Sequence, residues 1–135
     1  MRLLPWLYYL QLVGISTEAA MKGKRAVQLL SPEAVQDLVQ AKGRHQLVDV
    51  RTDGERRNIP FFEARGLDPE AEEELARLPK ETPLVFICYR GVRSLTAAQR
   101  FLELGFHHVY SMEGGVEAYV KALGRPPLPE MALSA

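Results

Sequence analysis

Cys88 is the one cysteine of the chain, and it opens the stretch CYRGVRS, Cys88 to Ser94. A sulfur in that place can be a small core residue, a metal ligand or a nucleophile. The residues after it favour the third role. If the loop Tyr89 to Arg93 curls around the sulfur, Gly91 permits a backbone turn that other residues resist, and the loop amides point inward. The helix that follows adds the positive end of its dipole. Such a nest binds anions and favours thiolate over thiol. Arg90 and Arg93 add two fixed positive charges within the same loop. A free thiol titrates at about 8.5, whereas electropositive sites at helix N-termini bring cysteines down to roughly 3.5–7.5. The same cradle would hold an oxyanion substrate against the nucleophile. Free cysteines are often buried as packing residues, but a purely structural loop has no need of this charge density.

The elements around the loop have to present it. An apolar run, Leu84 to Cys88, reads as a strand covered on both faces, and Arg93 to Leu104 reads as a helix stopped at Gly105, with Leu95, Ala98, Phe101 and Leu102 on one side. Upstream, Ala26 to Leu30 is a short strand, and Ser31-Pro32-Glu33 supplies an N-cap, a proline at the first helical position and an early acid. A helix follows to about Lys42, where Gly43 stops it. Gln46 to Val50 is a strand ending in charged groups, Thr52 to Leu67 is irregular, and Pro69 to Leu78 is an acidic helix. Val109 to Ser111 is a further strand, Gly114-Gly115 a turn, and Val116 to Leu123 a last helix. Strands alternating with helices predict an α/β domain with a mainly parallel sheet. Ligands bind such sheets beyond the carboxyl ends of the strands, where both Asp49-Val50-Arg51 and CYRGVRS fall.

At 135 residues the chain suits one domain with a real core. Seventeen basic residues balance seventeen acidic ones, which removes the electrostatic argument for nucleic acid or an anionic membrane as the main partner. Any anion recognition must be local. His45, His107 and His108 show none of the CxxC or HxxxH spacings of zinc sites, and no metal site is expected; the His107-His108 pair reads as surface or packing residues. The stretch from Leu3 to Ile15 is apolar except for Pro5 and Gln11, yet shorter than the roughly 20 residues needed to span a bilayer. It is expected to pack on this domain or on a partner chain. A cleaved signal and an interfacial or artefactual extension are the alternatives, and Met21 reads as a plausible internal start. Residues 1–22 are accordingly set apart as an extension, 23–124 as the domain and 125–135 as a tail, loose or draped on the surface.

Four stretches then resemble the rhodanese family of sulfurtransferases: LVDVRTDGE, TPLVFICYRGVRS, AAQRFLELGFHHVYSMEGG and the closing VEAYV. The resemblance covers roughly residues 27–123 and implies a rhodanese-like domain, a small parallel sheet with helices on both faces. It implies Cys88 as the nucleophile that becomes a persulfide, Tyr89, Arg90, Gly91, Val92, Arg93 and Ser94 as the loop that binds sulfur and substrate anion, and Asp49 and Arg51 as supporting residues. Four residues separate Cys88 from Arg93. The related arsenate reductases and phosphatases use a longer loop, so the shorter one favours sulfur transfer. The chain departs from the family after DVRTDGE: RRNIPFFEARGL carries Arg56 at the usual aromatic place and lacks the Gly-His-Ile-Pro-Gly-Ala-like stretch, with Ile59-Pro60 as its remnant. Phe61 and Phe62 read as core or pocket-wall groups. Arg56, Arg57 and Arg65 read as a solvated face, with a rim that attracts an anionic donor as the alternative.

The expected activity is transfer of a sulfane sulfur from thiosulfate or a persulfide donor, through Cys88, to cyanide, a thiol or a protein acceptor. The alternative is a sulfur-carrying or regulatory binding module without rapid turnover; an arsenate reductase or phosphatase ranks below both. The resemblance implies no metal and no organic cofactor. Partners are a small anionic sulfur donor and a possible protein donor or acceptor. The sequence leaves the oligomeric state open, and the default location is the cytoplasm, with the periplasm as the alternative if the N-terminal segment is a signal.

Overall fold

The computed structural model describes residues 26–41 and 43–128. The N-terminal segment, Lys42 and the tail from residue 129 onward lie outside the described residues. In chain order the elements are β1 (Gln28–Leu30), α1 (Pro32–Ala41), β2 (Gln46–Asp49), α2 (Asp53–Asn58), β3 (Arg65–Gly66), α3 (Pro69–Ala76), β4 (Leu84–Ile87), α4 (Arg93–Glu103), β5 (Val109–Met112) and α5 (Gly115–Leu123). The five strands form one sheet in the order β1-β5-β4-β2-β3, and every pairing is parallel. The fold is therefore the expected α/β one.

Strand β4 lies in the middle of this order, and its four residues are all buried. Leu84 and Phe86 join the cluster formed with α3 and α4 through Leu75, Ala97, Ala98 and Phe101. Val85 and Ile87 join the opposite cluster, with Val35 and Leu38 of α1 and Val116 and Tyr119 of α5. Alternate side chains of a strand point to opposite faces, so a continuous apolar run fills both layers. Burying one such side chain as fully as Phe86 stabilises the fold by about 1.5–3 kcal/mol. This anchorage fixes where β4 ends, and Cys88 is the next residue.

Local signals account for the helix starts. Ser31 Oγ accepts from the Ala34 amide at 3.1 Å, and Asp68 Oδ1 accepts from the Ala71 amide at 2.7 Å, each satisfying an otherwise orphaned donor of a first turn. The stretch expected to be irregular, Thr52 to Leu67, instead contains α2 and β3. Thr52 accepts from the Glu55 amide while the Glu55 side chain reaches back to the Thr52 amide, a reciprocal capping box. That box holds a helix none of whose residues is buried, so hydrophobic periodicity could not reveal it. Strand β3 is two residues long and pairs with the end of β2, Val48 with Arg65 and Asp49 with Gly66. Helix α3 stops at Ala76 rather than Leu78. The start of the tail is draped, since Arg125 Nη1 donates to the Asn58 carbonyl at 3.1 Å and Pro126 is buried.

Candidate active site

Parallel strands bring their carboxyl ends to one edge of the sheet. Asp49 of β2 is in register with Ile87 of β4, and Ser111 of β5 with Phe86. Cys88 follows Ile87 at this edge and is 1 % exposed. Its Sγ receives the Gly91 amide at 3.0 Å and lies 3.1 Å from Ser94 Oγ. Ser94 Oγ lies 2.7 Å from Ser111 Oγ. Both serines are fully buried. Sulfur and two hydroxyls thus form a short hydrogen-bonded chain beneath the loop.

Two glycine positions make the loop's curl feasible. Gly91 has φ +86°, and a Cβ there would stand 2.9 Å from the Gly114 nitrogen. Gly115 has φ +66°, and a Cβ there would meet the carbonyl oxygens of Tyr89 and Cys88 at 2.4 and 2.5 Å. The approach is close because the amides of Val116 and Glu117 donate to the Cys88 and Tyr89 carbonyls, both at 2.9 Å. First-turn donors of α5 are satisfied by loop acceptors. Turning those two carbonyls toward α5 leaves the Gly91 amide free to face the sulfur. At the other end of the loop, Val92 precedes α4 without any side-chain cap, so the start of that helix faces the loop with its positive end. A cavity of about 290 Å³ opens there, lined by Cys88, Tyr89, Arg90, Val92 and Arg93.

The two arginines behave differently from a simple pair of anion clamps. Arg93 sends Nη1 to Glu55 Oε1 at 2.9 Å and Nη2 to Glu55 Oε2 at 2.7 Å. This fork holds the Glu55 carboxyl down at about 2, with the bonds to Arg93 as the main cause and the Thr52 amide second. It also raises the Arg93 guanidinium. Arg90 is largely solvent-exposed, 3.7 Å from Glu117, with its guanidinium 5.8 Å from the Tyr89 ring centre. The direct hydrogen bonds to the sulfur thus come from the Gly91 amide and Ser94, while Arg93 acts on it through its charge.

Asp49 and Arg51 form a buried bidentate pair, Nε to Oδ1 at 3.0 Å and Nη2 to Oδ2 at 2.9 Å. Arg51 Nη1 also donates to the Glu55 carbonyl at 3.3 Å. The pair thus braces α2, and through Glu55 it reaches Arg93; it does not line the sulfur's cavity. Of the residues singled out in the sequence, the structure sets Cys88, Tyr89, Arg90, Val92 and Arg93 on the cavity lining, places Gly91 and Ser94 against the sulfur, and keeps Asp49 and Arg51 off that lining. Glu55, Ser111 and Gly115 belong to the same arrangement without having been singled out for it. The Thr52-to-Glu55 spacing was a legible capping signal, but nothing in the sequence ties Glu55 to Arg93 or Ser111 to the sulfur.

Beside this site, a second cavity of about 500 Å³ is lined by Asp49, Asp53, Arg56, Arg57, Pro60, Phe61, Phe62 and Ala64. It occupies the segment where the sequence departs from the usual pattern. Phe61 is buried and packs edge-on against Tyr119 with ring centres 5.2 Å apart, while Phe62 is half exposed. Arg56 pairs with Asp53 and Arg65 with Glu74. Among the described residues, no group of three or more His, Cys, Asp or Glu side chains is arranged to hold a metal ion, and no helix is long and apolar enough to cross a membrane.

Comparison with known proteins agrees with this architecture. The rhodanese-like domain model matches residues 31–122. The chain belongs to the rhodanese-like domain family, and the class it shares with its curated relatives is that of the rhodanese-type sulfurtransferases. The thiosulfate sulfurtransferase GlpE of Shewanella oneidensis is 36 % identical over 78 residues, covering 57 % of this chain and 77 % of that protein. Its Pseudomonas aeruginosa counterpart is 32 % identical over 93 residues, covering 68 % and 83 %. Among solved structures, a Rhodopseudomonas palustris protein described as of unknown function and a possible tyrosine phosphatase superposes with a TM-score of 0.63 at 21 % identity, over 82 % of this chain and 91 % of that one. A single-domain sulfurtransferase of Saccharomyces cerevisiae does so with a TM-score of 0.58 at 19 % identity, over 77 % and 98 %. These structural likenesses speak for the fold.

Proposed function

We propose that the chain moves a sulfane sulfur from thiosulfate, or from a persulfide donor, through a persulfide on Cys88. In the first half-reaction the Cys88 sulfur attacks the outer sulfur of thiosulfate. A new S–S bond forms, the original S–S bond breaks, and sulfite leaves with the electron pair. In the second, cyanide or a thiolate attacks the terminal sulfur, takes it as thiocyanate or a new persulfide, and returns Cys88 as thiolate. This is covalent nucleophilic catalysis in two steps, for which ping-pong kinetics are the signature. The observation that carries the reading is the cradle itself: a buried sulfur held by the Gly91 amide and Ser94, at the floor of a cavity bounded by a four-residue loop and the start of α4. Donors placed in this way stabilise negative charge as it develops on sulfur. The GlpE relatives support thiosulfate as donor.

The test is intact-mass measurement after incubation with thiosulfate, followed by addition of cyanide. The expected result is a gain of one sulfur atom on Cys88 that cyanide discharges as thiocyanate, and its loss in Cys88→Ser. Sulfur loading that survives Cys88→Ser would overturn the mechanism. A stable persulfide that cyanide and small thiols discharge only slowly would point to a sulfur carrier served by a protein partner.

A further inference from the structure

Arg93 is the loop residue best suited to meet an oxyanion, because its planar fork matches such groups with two parallel hydrogen bonds. In the structure that fork is already filled. Both terminal nitrogens bond the two carboxylate oxygens of Glu55, a residue thirty-eight positions upstream on a different element. Glu55 is itself anchored: Oε1 also accepts from the Thr52 amide at 3.1 Å and lies 3.0 Å from the Thr52 hydroxyl. The two partners are therefore unequal. If the pair opens, Glu55 keeps its place in the capping box, and Arg93, with its long flexible stem and about half of its side chain exposed, is the part that moves. Arg93 lines the Cys88 cavity, and Asp49 and the Cys88 sulfur are the other groups whose charge acts on it.

We propose that Glu55 is an internal competitor for the anionic group of the sulfur donor. It occupies the arginine fork in the resting site and must be exchanged for the donor's oxyanion. It thereby sets the donor affinity, and it weakens capture of any anion that cannot match a carboxylate in forking Arg93. The inference rests on the sulfur-transfer reading of Cys88 and deepens it by assigning a specificity-determining residue.

Glu55→Gln separates this role from the structural one, because glutamine also closes a capping box while it removes the charge that holds Arg93. Exposed ion pairs are weak, so the KM for thiosulfate is expected to fall by about two- to fivefold in Glu55→Gln, by more than kcat changes. In an Arg93→Gln background the same substitution should leave KM where it was. A second arm does not depend on turnover: calorimetric titration of Cys88→Ser with thiosulfate, with and without Glu55→Gln, should show tighter binding in the double variant by the same factor. A KM and a binding constant that stay unchanged or weaken in Glu55→Gln would overturn the proposal and make Glu55 a scaffold that presents Arg93 to the anion. Wild-type protein that binds thiosulfate but never gains sulfur would sink the sulfur-transfer reading while the binding arm still decides the competitor.

Discussion

Ser94 has one hydroxyl proton and two neighbours that can take it, Cys88 Sγ and Ser111 Oγ. If Ser111 donates to Ser94, Ser94 is left to donate to the sulfur, and the two buried hydroxyls and the sulfur are all satisfied. Replacing Ser94 by alanine removes the donor at the sulfur and strands the Ser111 hydroxyl. A buried polar group left without its partner costs about 1–3 kcal/mol. Ser94→Ala should therefore lower the melting temperature and slow sulfur loading in an intact-mass time course, whereas Ser111→Ala should cost stability with a smaller effect on loading. The Glu55 carboxyl follows from the same level of detail. Its folded value of about 2 lies below the ordinary 4.5, so its contribution is complete above 4.5 and is lost only as pH falls toward 2. A KM profile for thiosulfate between pH 5 and 9 should carry no inflection from Glu55. At this scale the sequence was legible where chemistry is local: Cys88, Gly91 and Ser94 stand within one loop, and their types announce what they do. Arg93 was legible as a cation but not as one already paired, because its partner lies far along the chain and is brought near only by the helix that follows β2.

The element least visible in advance is α2. Hydrophobic periodicity fails on a helix that buries nothing, and the only surviving signal was the threonine-to-glutamate spacing that closes its first turn. The strand after it shrinks to two residues on the edge of the sheet, which fits the loss of the usual segment between them. The Gly114-Gly115 turn was legible as a turn, but its function was not: the close contact with the loop carbonyls depends on where α5 docks. Gly115→Ala should therefore do two things. It imposes a side chain on a left-handed φ, costing about 1–3 kcal/mol, and it drives a methyl group into the carbonyls of Cys88 and Tyr89. The expected outcome is a lower melting temperature together with impaired persulfide formation. Gly124→Ala is the matched comparison, since Gly124 also has a positive φ, +81°, with nothing within 4 Å of the added Cβ; it should lose stability alone. Equal sulfur loading in the two variants would mean that the α5 contact does not shape the cradle.

For the molecule as a whole, the alternation of apolar runs and helical patterns pointed to a parallel sheet covered on both faces, and β4 fills both layers as its continuous apolar run suggested. The adjacent cavity was not legible, since it arises from how Arg56, Phe61 and Phe62 settle where the usual segment is missing. Global stability carries a pH signature from His108. Burial, aided by neighbouring His107 and opposed by Glu81, lowers it from 6.5 to about 4. Between those values the unfolded chain binds the proton that the folded chain refuses, so stability declines as pH falls from about 6.5 toward 4. The decline should amount to about 1–3 kcal/mol, and His108→Gln should flatten the melting temperature across that interval. The strand order has a consequence for biosynthesis. Strand β1 closes on β5, and the amides that orient the Cys88 loop come from α5, the last helix described. On the ribosome the thiol emerges before the segment that shelters it, and until α5 docks the nascent chain presents an unshaped cysteine to any oxidant or electrophile nearby.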